Sequence, residues 1–535
     1  MSFLWWPLLL SSCAAAVLAT RGLIHLFQLE SYQFPGYAHT VRRNLKKCIL
    51  PGCCLAVVAL LCAAILSAWG LNWVPVILCT LLTAGAGWTV YCRLKMQREK
   101  KRLVVTARVK RLIGTEAVVF LLLGILFLRL FGLFPGADAK AFLLVPLPVL
   151  LPVWFALAAL CAWPIEKGIS EMYFQDAKRM LDSRPDLIKI GITGSYGKTS
   201  VKFILGTILQ EKFQTLITPS SFNTPMGLTK VIRSSLLPSH QVFVAEMGAR
   251  HVGDIRELCR LVHPTYGAIT SIGPQHLDTF KTIERIRDTK YELMEALPAG
   301  GCCFFVEDHG IERALYDRTE KEKWLVSLEP EVGADVWAES METGPFGSRF
   351  LLCTKGDRIL CETRLLGRHN IQNILLAAAI CLKLGMSLRQ ISRGITRLQP
   401  VEHRLQLIPK PGGVTIIDDA FNSNPHGASA ALEVLRNFPG RRIIITPGMV
   451  ELGEQETVYN RNFGEEMAGS VDICVLVGPK HTSPIREGLI SKGFPEENIH
   501  TVRSLQEAAD VLGRMERSGD TVLFENDLPD NYSED

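Results

Sequence analysis

LIKIGITGSYGKTSVKFILGTILQEKF, residues 187–213, changes periodicity twice within a short span. Leu187 to Thr193 is a short apolar, β-branched run that reads as a strand, a glycine-rich turn follows, and from Val201 the apolar residues recur at helical spacing. A strand that ends in closely spaced glycines and turns into a helix presents backbone N–H groups, and the positive end of the helix dipole, to an anion. Lys198 would reach the terminal phosphates of a nucleotide and the Thr199 hydroxyl would hold magnesium. The general spacing G-x-x-x-x-G-K-[ST] is not met, because Ile192 stands where the first glycine is needed.

The alternation continues downstream. QVFVAEMGA (241–249) and YGAITSIG (266–273) read as strands, DIRELCRLV (254–262) and IERIRDTKYELMEAL (283–297) as helices. Strands alternating with helices imply an α/β fold with a parallel sheet wound on both sides. At 535 residues the chain has room for three or four domains.

The first 165 residues have another texture. Apolar blocks at about 3–20, 48–69, 71–92, 114–134 and 141–163 are each long enough to cross a hydrocarbon core, so five spans are expected. A cleaved signal peptide is the other reading of the first block, but no basic stretch precedes it and a second span follows soon after. Residues 21–47 carry Arg21, Arg42, Arg43, Lys46 and Lys47 against Glu30 alone, and residues 93–113 carry nine Lys and Arg against one acid. The alternate connections carry almost no charge, so the positive-inside rule puts both basic loops, and everything after residue 164, in the cytoplasm. Anionic lipid headgroups would also suit these loops, but topology alone explains them. Eight of the fifteen cysteines lie in or beside the spans, without zinc-ligand spacing, and read as small apolar residues in a reducing compartment. The net charge of +5 largely reflects the membrane loops and is no argument for a nucleic-acid partner.

Thr193-Gly194-Ser195-Tyr196-Gly197-Lys198-Thr199 resembles the T-G-[ST]-N-G-K-[ST] loop of the Mur ligase family, the ATP-dependent amide-forming enzymes of bacterial cell-wall synthesis. Seven further stretches match in the family's order. AEMGARHVGDIREL (245–258) looks like the E-x-G-A segment of the branch that adds D-alanyl-D-alanine, SIGPQHLDTF (271–280) like the segment with a magnesium-binding histidine, and RDTKYELMEAL (287–297) like the helix whose lysine is carbamylated. GRHNIQN (367–373) is similar to the segment that contacts adenine, and EHR (402–404) lies where the family carries an arginine near the phosphates. IIDDAFNSNPHGASAAL (416–432) and PGMVELG (447–453) resemble two segments of the family's last domain.

The apolar blocks give a helical membrane domain over 1–165, followed by a linker over 166–186, and the resemblance implies a central P-loop ATP-binding domain over 187–400 and a Rossmann-like C-terminal α/β domain over 401–535. The resemblance implies ATP and Mg²⁺ as cofactors and a bacterial source, and the spans and loop charges a multi-pass protein of the cell membrane with its catalytic domains in the cytoplasm. Its partners would be a muropeptide precursor, nucleotide- or lipid-linked, and an amine donor. ATP would be held by Gly194, Ser195, Tyr196, Gly197, Lys198, Thr199 and Ser200, with Asn370, Asn373, Arg404, Asp419 and Asn422. Thr199 and Glu246 would hold one magnesium, and His276 and a carbamate on Lys290 a second, because a free lysine is cationic whereas its carbamate offers oxygen. Lys198, His276 and Lys290 are the expected catalytic residues, and Asn223 and Thr224 the expected substrate contacts.

Other readings of the same residues stay open. Lys290 alone reads as the solvated face of an amphipathic helix, His276 alone as a structural histidine, and Asn370 equally as a helix cap and an adenine contact. Tyr196 replaces the family's asparagine, Thr224 stands where the D-alanyl-D-alanine branch often has a second asparagine, and VLFENDLPDNY (522–532) is acidic where that branch tends to be basic. The family's uridine-binding first domain is replaced by the apolar blocks. A relative acting on another carboxylate, of polyglutamate or amidating type, is the second functional reading. A membrane transporter or scaffold with a nucleotide-binding domain is the third.

Overall fold

The computed structural model describes residues 3–30, 32–96, 102–130, 148, 150–220, 222–421 and 423–527. The chain divides into two compact units, Met1–Glu171 and Met172–Asp535.

The first unit is helical. Among the described residues three helices are long and apolar enough to cross a membrane: Trp5–Leu29, Leu45–Trp69 and Trp73–Met96, with mean hydropathies of 1.6, 2.7 and 1.6. The other two expected spans fall on the helices Ala107–Leu130 and Leu151–Asp182, and both run into residues 131–147, which lie outside the described residues. Small side chains let the helices approach closely, the packing that substitutes for hydrophobic driving force in lipid. A Cβ on Gly87 would lie 2.6 Å from the Ala15 Cα, and one on Gly124 2.3 Å from Leu9. The segment expected as a linker is helical as far as Asp182, with Pro164 inside the helix.

The second unit carries two sheets. The first contains β1 (Ile188–Thr193), β2 (Thr215–Ile217), β3 (Val242–Glu246), β4 (Tyr266–Ile269), β5 (Cys302–Val306), β6 (Glu322–Ser327), β7 (Val336–Gly344), β8 (Gly347–Thr354) and β9 (Arg358–Thr363). Their order is β2-β3-β1-β4-β5-β6-β7-β8-β9, parallel from β2 to β7 and antiparallel from there to the edge. The chain leaves β1 to build strands on both of its sides, so a crevice opens at the carboxyl end of β1, where doubly wound sheets bind ligands. One face is covered by the helices Lys198–Leu209 and Arg368–Lys383, which bury Val201, Leu205, Ile208, Ile371 and Leu375 against Ile190 and Ile192. The other face buries Phe243 and Ala245 under Leu258 and Leu293.

The second sheet comprises β10 (Gln406–Lys410), β11 (Val414–Asp419), β12 (Arg442–Thr446), β13 (Ile473–Val477), β14 (Ile499–Val502) and β15 (Thr521–Glu525), in the order β10-β11-β15-β12-β13-β14. Only β10 is antiparallel to its neighbour. The register sets Asp419 opposite Glu525, so the carboxyl ends of β11 and β15 bring two acids together.

Candidate active site

Gly194 and Gly197 hold positive φ angles of 149° and 78°, and a Cβ on Gly194 would stand 2.0 Å from the Thr270 hydroxyl. No side chain fits there, and the backbone is left bare toward the crevice. Ser195 is buried, donating to Gly273 O at 3.0 Å and accepting from Gly273 N at 3.1 Å. Lys198 opens the helix Lys198–Leu209 and folds back, donating to Gly194 O at 2.6 Å and Ser195 O at 2.8 Å. Burial pulls its pKa down to about 8, with Arg404 adding to the effect and Glu246 opposing it. It is a cation with loop carbonyls as its acceptors. Ser200 lies half-buried in the first turn of the same helix.

Below the loop, Glu246 ends β3 with 1% of its side chain exposed. Thr199 Oγ1 donates to it at 3.1 and 3.2 Å, Asn223 Nδ2 at 3.0 Å and Lys202 Nζ at 3.0 Å. Lys202, whose side chain is wholly buried, also donates to Ser220 O. The sequence reading missed Lys202. Its signal was a lysine on the helix face shared with Val201 and Leu205, where only a buried counter-charge makes it tolerable. Asn223, expected at the substrate, lies against this carboxylate, and Thr224 caps the helix Pro225–Ser235 by accepting from Gly227 N at 3.2 Å.

His276 follows β4 in left-handed backbone, φ 53°, and its Nδ1 lies 2.6 Å from Oε2 of Glu451, which comes from the last domain. Burial pulls the imidazole pKa down, partly offset by Glu451. With Nδ1–H donated to Glu451, a neutral ring would carry its lone pair on Nε2, the arrangement of a metal-ligating histidine. Glu451 was not foreseen as a site residue. Lys290, on the helix Ile283–Ala296, is 2% exposed, which overturns the solvated-face reading. Burial first, and then the charge of Lys198, hold its pKa well below the usual lysine value. An uncharged amine is the form that adds CO₂.

On the helix Arg368–Lys383, Asn370 donates to Leu366 O at 2.9 Å and accepts from Asn373 Nδ2 at 3.3 Å, so its side chain is not the cap. Asn373 abuts the phosphate loop, since a Cβ on Gly197 would lie 2.9 Å from its Oδ1. From the last domain, Arg404 lies 4.4 Å over the Phe421 ring; burial lowers its pKa, against the opposing charges of Asp419 and Glu246. Asp419 accepts from Leu405 N at 3.2 Å, and burial pushes its pKa up to about 6. Asn422 and Asp530 lie outside the described residues. Glu525 is buried, takes hydrogen bonds from Ser423 and, at 2.9 Å, Thr446, and burial raises its pKa to about 8.

Tyr196 has a structural use for its ring. It stacks on His426 of the last domain, centroids 6.0 Å apart and planes within 13°, and its hydroxyl donates to Pro274 O at 2.9 Å. A Cβ on Gly273 would lie 2.6 Å from that ring. Gly273→Ala is therefore expected to displace the ring and cost about 1–3 kcal/mol in urea unfolding. Adding Tyr196→Asn should return most of that loss, and a strictly additive pair would contradict the coupling.

Glu312 buttresses the same turn by accepting from Ile272 N. Burial, with Asp308 beside it, pushes its pKa up to about 9. An unfolded glutamate ionises near about pH 4.3, so between those values the folded chain binds the extra proton and stability falls as pH rises. Glu312→Gln removes this dependence. The variant should melt above the parent by a margin that opens from about pH 5 and grows toward about pH 9, and a margin that stays constant would contradict the assignment.

Comparison with known proteins agrees with this geometry. The family description "Mur ligase middle domain" matches residues 192–381, and "Mur ligase, glutamate ligase domain" matches residues 403–525. A UDP-N-acetylmuramoyl-tripeptide--D-alanyl-D-alanine ligase of Mycobacterium tuberculosis is 30% identical over 357 residues, 62% of this chain and 69% of that one. The Escherichia coli ligase of the same name is 29% identical over 291 residues, 54% of this chain and 64% of that one. Among solved structures, MurF from Acinetobacter baumannii superposes with a TM-score of 0.61 at 27% identity, covering 67% of this chain and 77% of that one. With both domains matched in order around a glycine loop, a buried Glu246 and a His276 held by Glu451, this chain belongs to the Mur ligase family.

Proposed function

We propose that the chain is a membrane-anchored ligase that uses ATP to join an amine to the carboxylate of a peptidoglycan precursor, of the D-alanyl-D-alanine-adding type or a close variant. The observation that carries this reading is Thr199 hydrogen-bonded at 3.1 Å to the buried carboxylate of Glu246, directly under the bare backbone of the loop. The loop N–H groups and Lys198 would hold the β- and γ-phosphates of ATP, with Lys198 exchanging its loop carbonyls for phosphate oxygens. Arg404 would add its charge from the last domain, while Asn373 and Asp419 would border the nucleoside.

The donor set suits magnesium. Thr199 keeps an oxygen lone pair while donating to Glu246, and His276 presents Nε2 while Glu451 holds Nδ1. Thr199 with Glu246 would hold one ion, and His276 with the Lys290 carbamate a second; when bound, these ions neutralise charge on the transferring phosphoryl group. The substrate carboxylate oxygen attacks the γ-phosphorus, the bond to the bridging oxygen breaks, and ADP leaves with that electron pair. The amine then attacks the acyl phosphate carbonyl, loses a proton and expels inorganic phosphate, giving the amide. Lys198 and Arg404 stay fixed through both steps, which costs no reorganisation as charge develops.

The Trp5–Leu29, Leu45–Trp69 and Trp73–Met96 helices support an anchor in the bacterial cell membrane, and the basic flanks support ligase domains on the cytoplasmic side. The test is phosphate release by the purified full chain, offered nucleotide-linked and lipid-linked muropeptides with D-alanyl-D-alanine and other amines. Stimulation that needs both a muropeptide and an amine is expected. No stimulation by any muropeptide would sink this reading in favour of another carboxylate.

A further inference from the structure

Lys202 takes no part in the phosphoryl or amide steps, yet its ammonium lies against the carboxylate on which the first of them depends. Its side chain is wholly buried on the helix Lys198–Leu209, with Nζ 3.0 Å from Oε2 of Glu246. Among the described residues Glu246 is the only acid paired with it. Its other contacts are the Ser220 carbonyl, to which it donates, and the Phe203 ring, whose centroid is 4.5 Å away. A buried cation with a single counter-charge depends on that charge.

The stretch between β2 and the helix Pro225–Ser235 is tied to the end of β3 at both of its ends. Thr218 N donates to Val244 O at 3.2 Å, and the Thr218 hydroxyl accepts from Glu246 N at 3.3 Å. Asn223 O accepts from Gly248 N at 2.9 Å, and Asn223 Nδ2 donates to Oε1 of Glu246 at 3.0 Å. Between these ties Ser220 holds a left-handed φ of 44°, a backbone state that a serine keeps only where its neighbours hold it. Lys202 is the side chain that holds its carbonyl. One ammonium thus touches both Glu246, the proposed magnesium ligand, and the strained turn that leads into Asn223 and Thr224, the expected substrate contacts.

The two acceptors share that ammonium unequally as the charge on Glu246 changes. A divalent ion takes up part of the carboxylate's charge, and Lys202 then rests more heavily on Ser220 O. Asn223 is a neutral donor and responds less to the same change. We propose that Lys202 is a positioning residue that relays metal occupancy at Glu246 to the turn at Ser220, tightening the substrate stretch once the metal-bound nucleotide is in place. The proposal rests on the reading of Glu246 as a magnesium ligand. By linkage, a substrate that orders the turn strengthens the metal site by the same factor, so the muropeptide is gripped best after the nucleotide.

The test reads bound metal and backbone protection, independently of turnover. The full chain in detergent is given ADP with and without Mn²⁺. Electron paramagnetic resonance measures bound Mn²⁺, and hydrogen-exchange mass spectrometry follows the peptide that contains Phe222, Asn223 and Thr224. In the parent, Mn²⁺ should slow exchange of that peptide by about fivefold or more, the lower end of ordinary coupling between sites. Lys202→Met, close in volume and uncharged, should bind Mn²⁺ at least as tightly as the parent, because a neighbouring positive charge is gone, while the slowing falls below about twofold. Lys202→Gln, smaller and still a donor to Glu246, should behave in the same way and gives a second reading of the same coupling. Equal metal-dependent slowing in parent and variants, or none in the parent, would overturn the proposal. So would a loss of Mn²⁺ affinity of about tenfold in both variants, the mark of a lysine that only props the carboxylate. A parent that binds no Mn²⁺ in the presence of ADP would remove the magnesium reading of Glu246 itself, and this proposal with it.

Discussion

Lys290→Ala is expected to lower phosphate release by at least about a hundredfold, and to leave a protein that no longer responds to bicarbonate. Lys290 is buried on the helix Ile283–Ala296 with its pKa held well below the usual value, by burial and then by Lys198. A charged lysine there would repel both a metal ion and the Lys198 ammonium. An uncharged one is a nucleophile toward CO₂, and the carbamate so formed reverses the sign of the side chain and supplies oxygen donors. The parent should therefore lose activity in CO₂-depleted buffer and regain it when bicarbonate is added. Carbon-13 bicarbonate should give a carbamate resonance in the parent that is absent from Lys290→Ala. Activity that survives the substitution, together with a parent indifferent to bicarbonate, would show that the lysine serves the site only as a buried structural amine.

Lys198→Ala should reduce kcat by about 10²–10³-fold. In the ligand-free loop the ammonium is held by Gly194 O and Ser195 O, contacts from which a phosphate can draw it at little conformational expense. Its removal deletes a fixed charge from the centre of the transferring group, where charge develops during reaction. The defect should therefore fall mainly on kcat, with a smaller change in the KM for ATP. Lys198→Arg should recover little, because a planar fork does not reproduce the point charge that the ammonium presents from Gly194 O and Ser195 O. An effect confined to KM would show that the residue holds the nucleotide without acting on the transfer.

The parts of this site that were legible in sequence are those built from contiguous residues. A phosphate loop needs glycines at left-handed φ, a lysine and a hydroxyl within one turn of chain, so Gly194, Gly197, Lys198 and Thr199 stand together in the order of their use. Glu246 and His276 were legible because one ends a strand of the parallel sheet and the other follows a strand, and strand ends are where such sheets place ligands. Lys202, Glu451 and His426 were not, because each acts through a partner distant in sequence: Glu246, His276 and Tyr196. Tyr196 looked like a defect in a familiar motif. Its ring is explained only once the chain has returned to set His426 against it and Gly273 beneath it. Burial of the acidic tail was hidden for the same reason, since Glu525 alternates inward on β15 and meets Ser423 and Thr446.

Hydropathy gave the apolar blocks because a bilayer acts on each segment as an averaged solvent, blind to neighbouring helices. It was silent on how the arginines are matched, since Arg108 and Arg111 are about one turn apart and only packing against Glu166 sets Arg111 at 2.5 Å and Arg108 at 3.7 Å from the carboxylate. The sequence by itself therefore determined the α/β class, the phosphate loop, the order of the ligase motifs and the apolar character of the first unit, all properties that local spacing encodes. The tertiary structure alone decided the charge state and partner of each buried group, because burial and proximity across long stretches of chain set those energies and no short pattern records them.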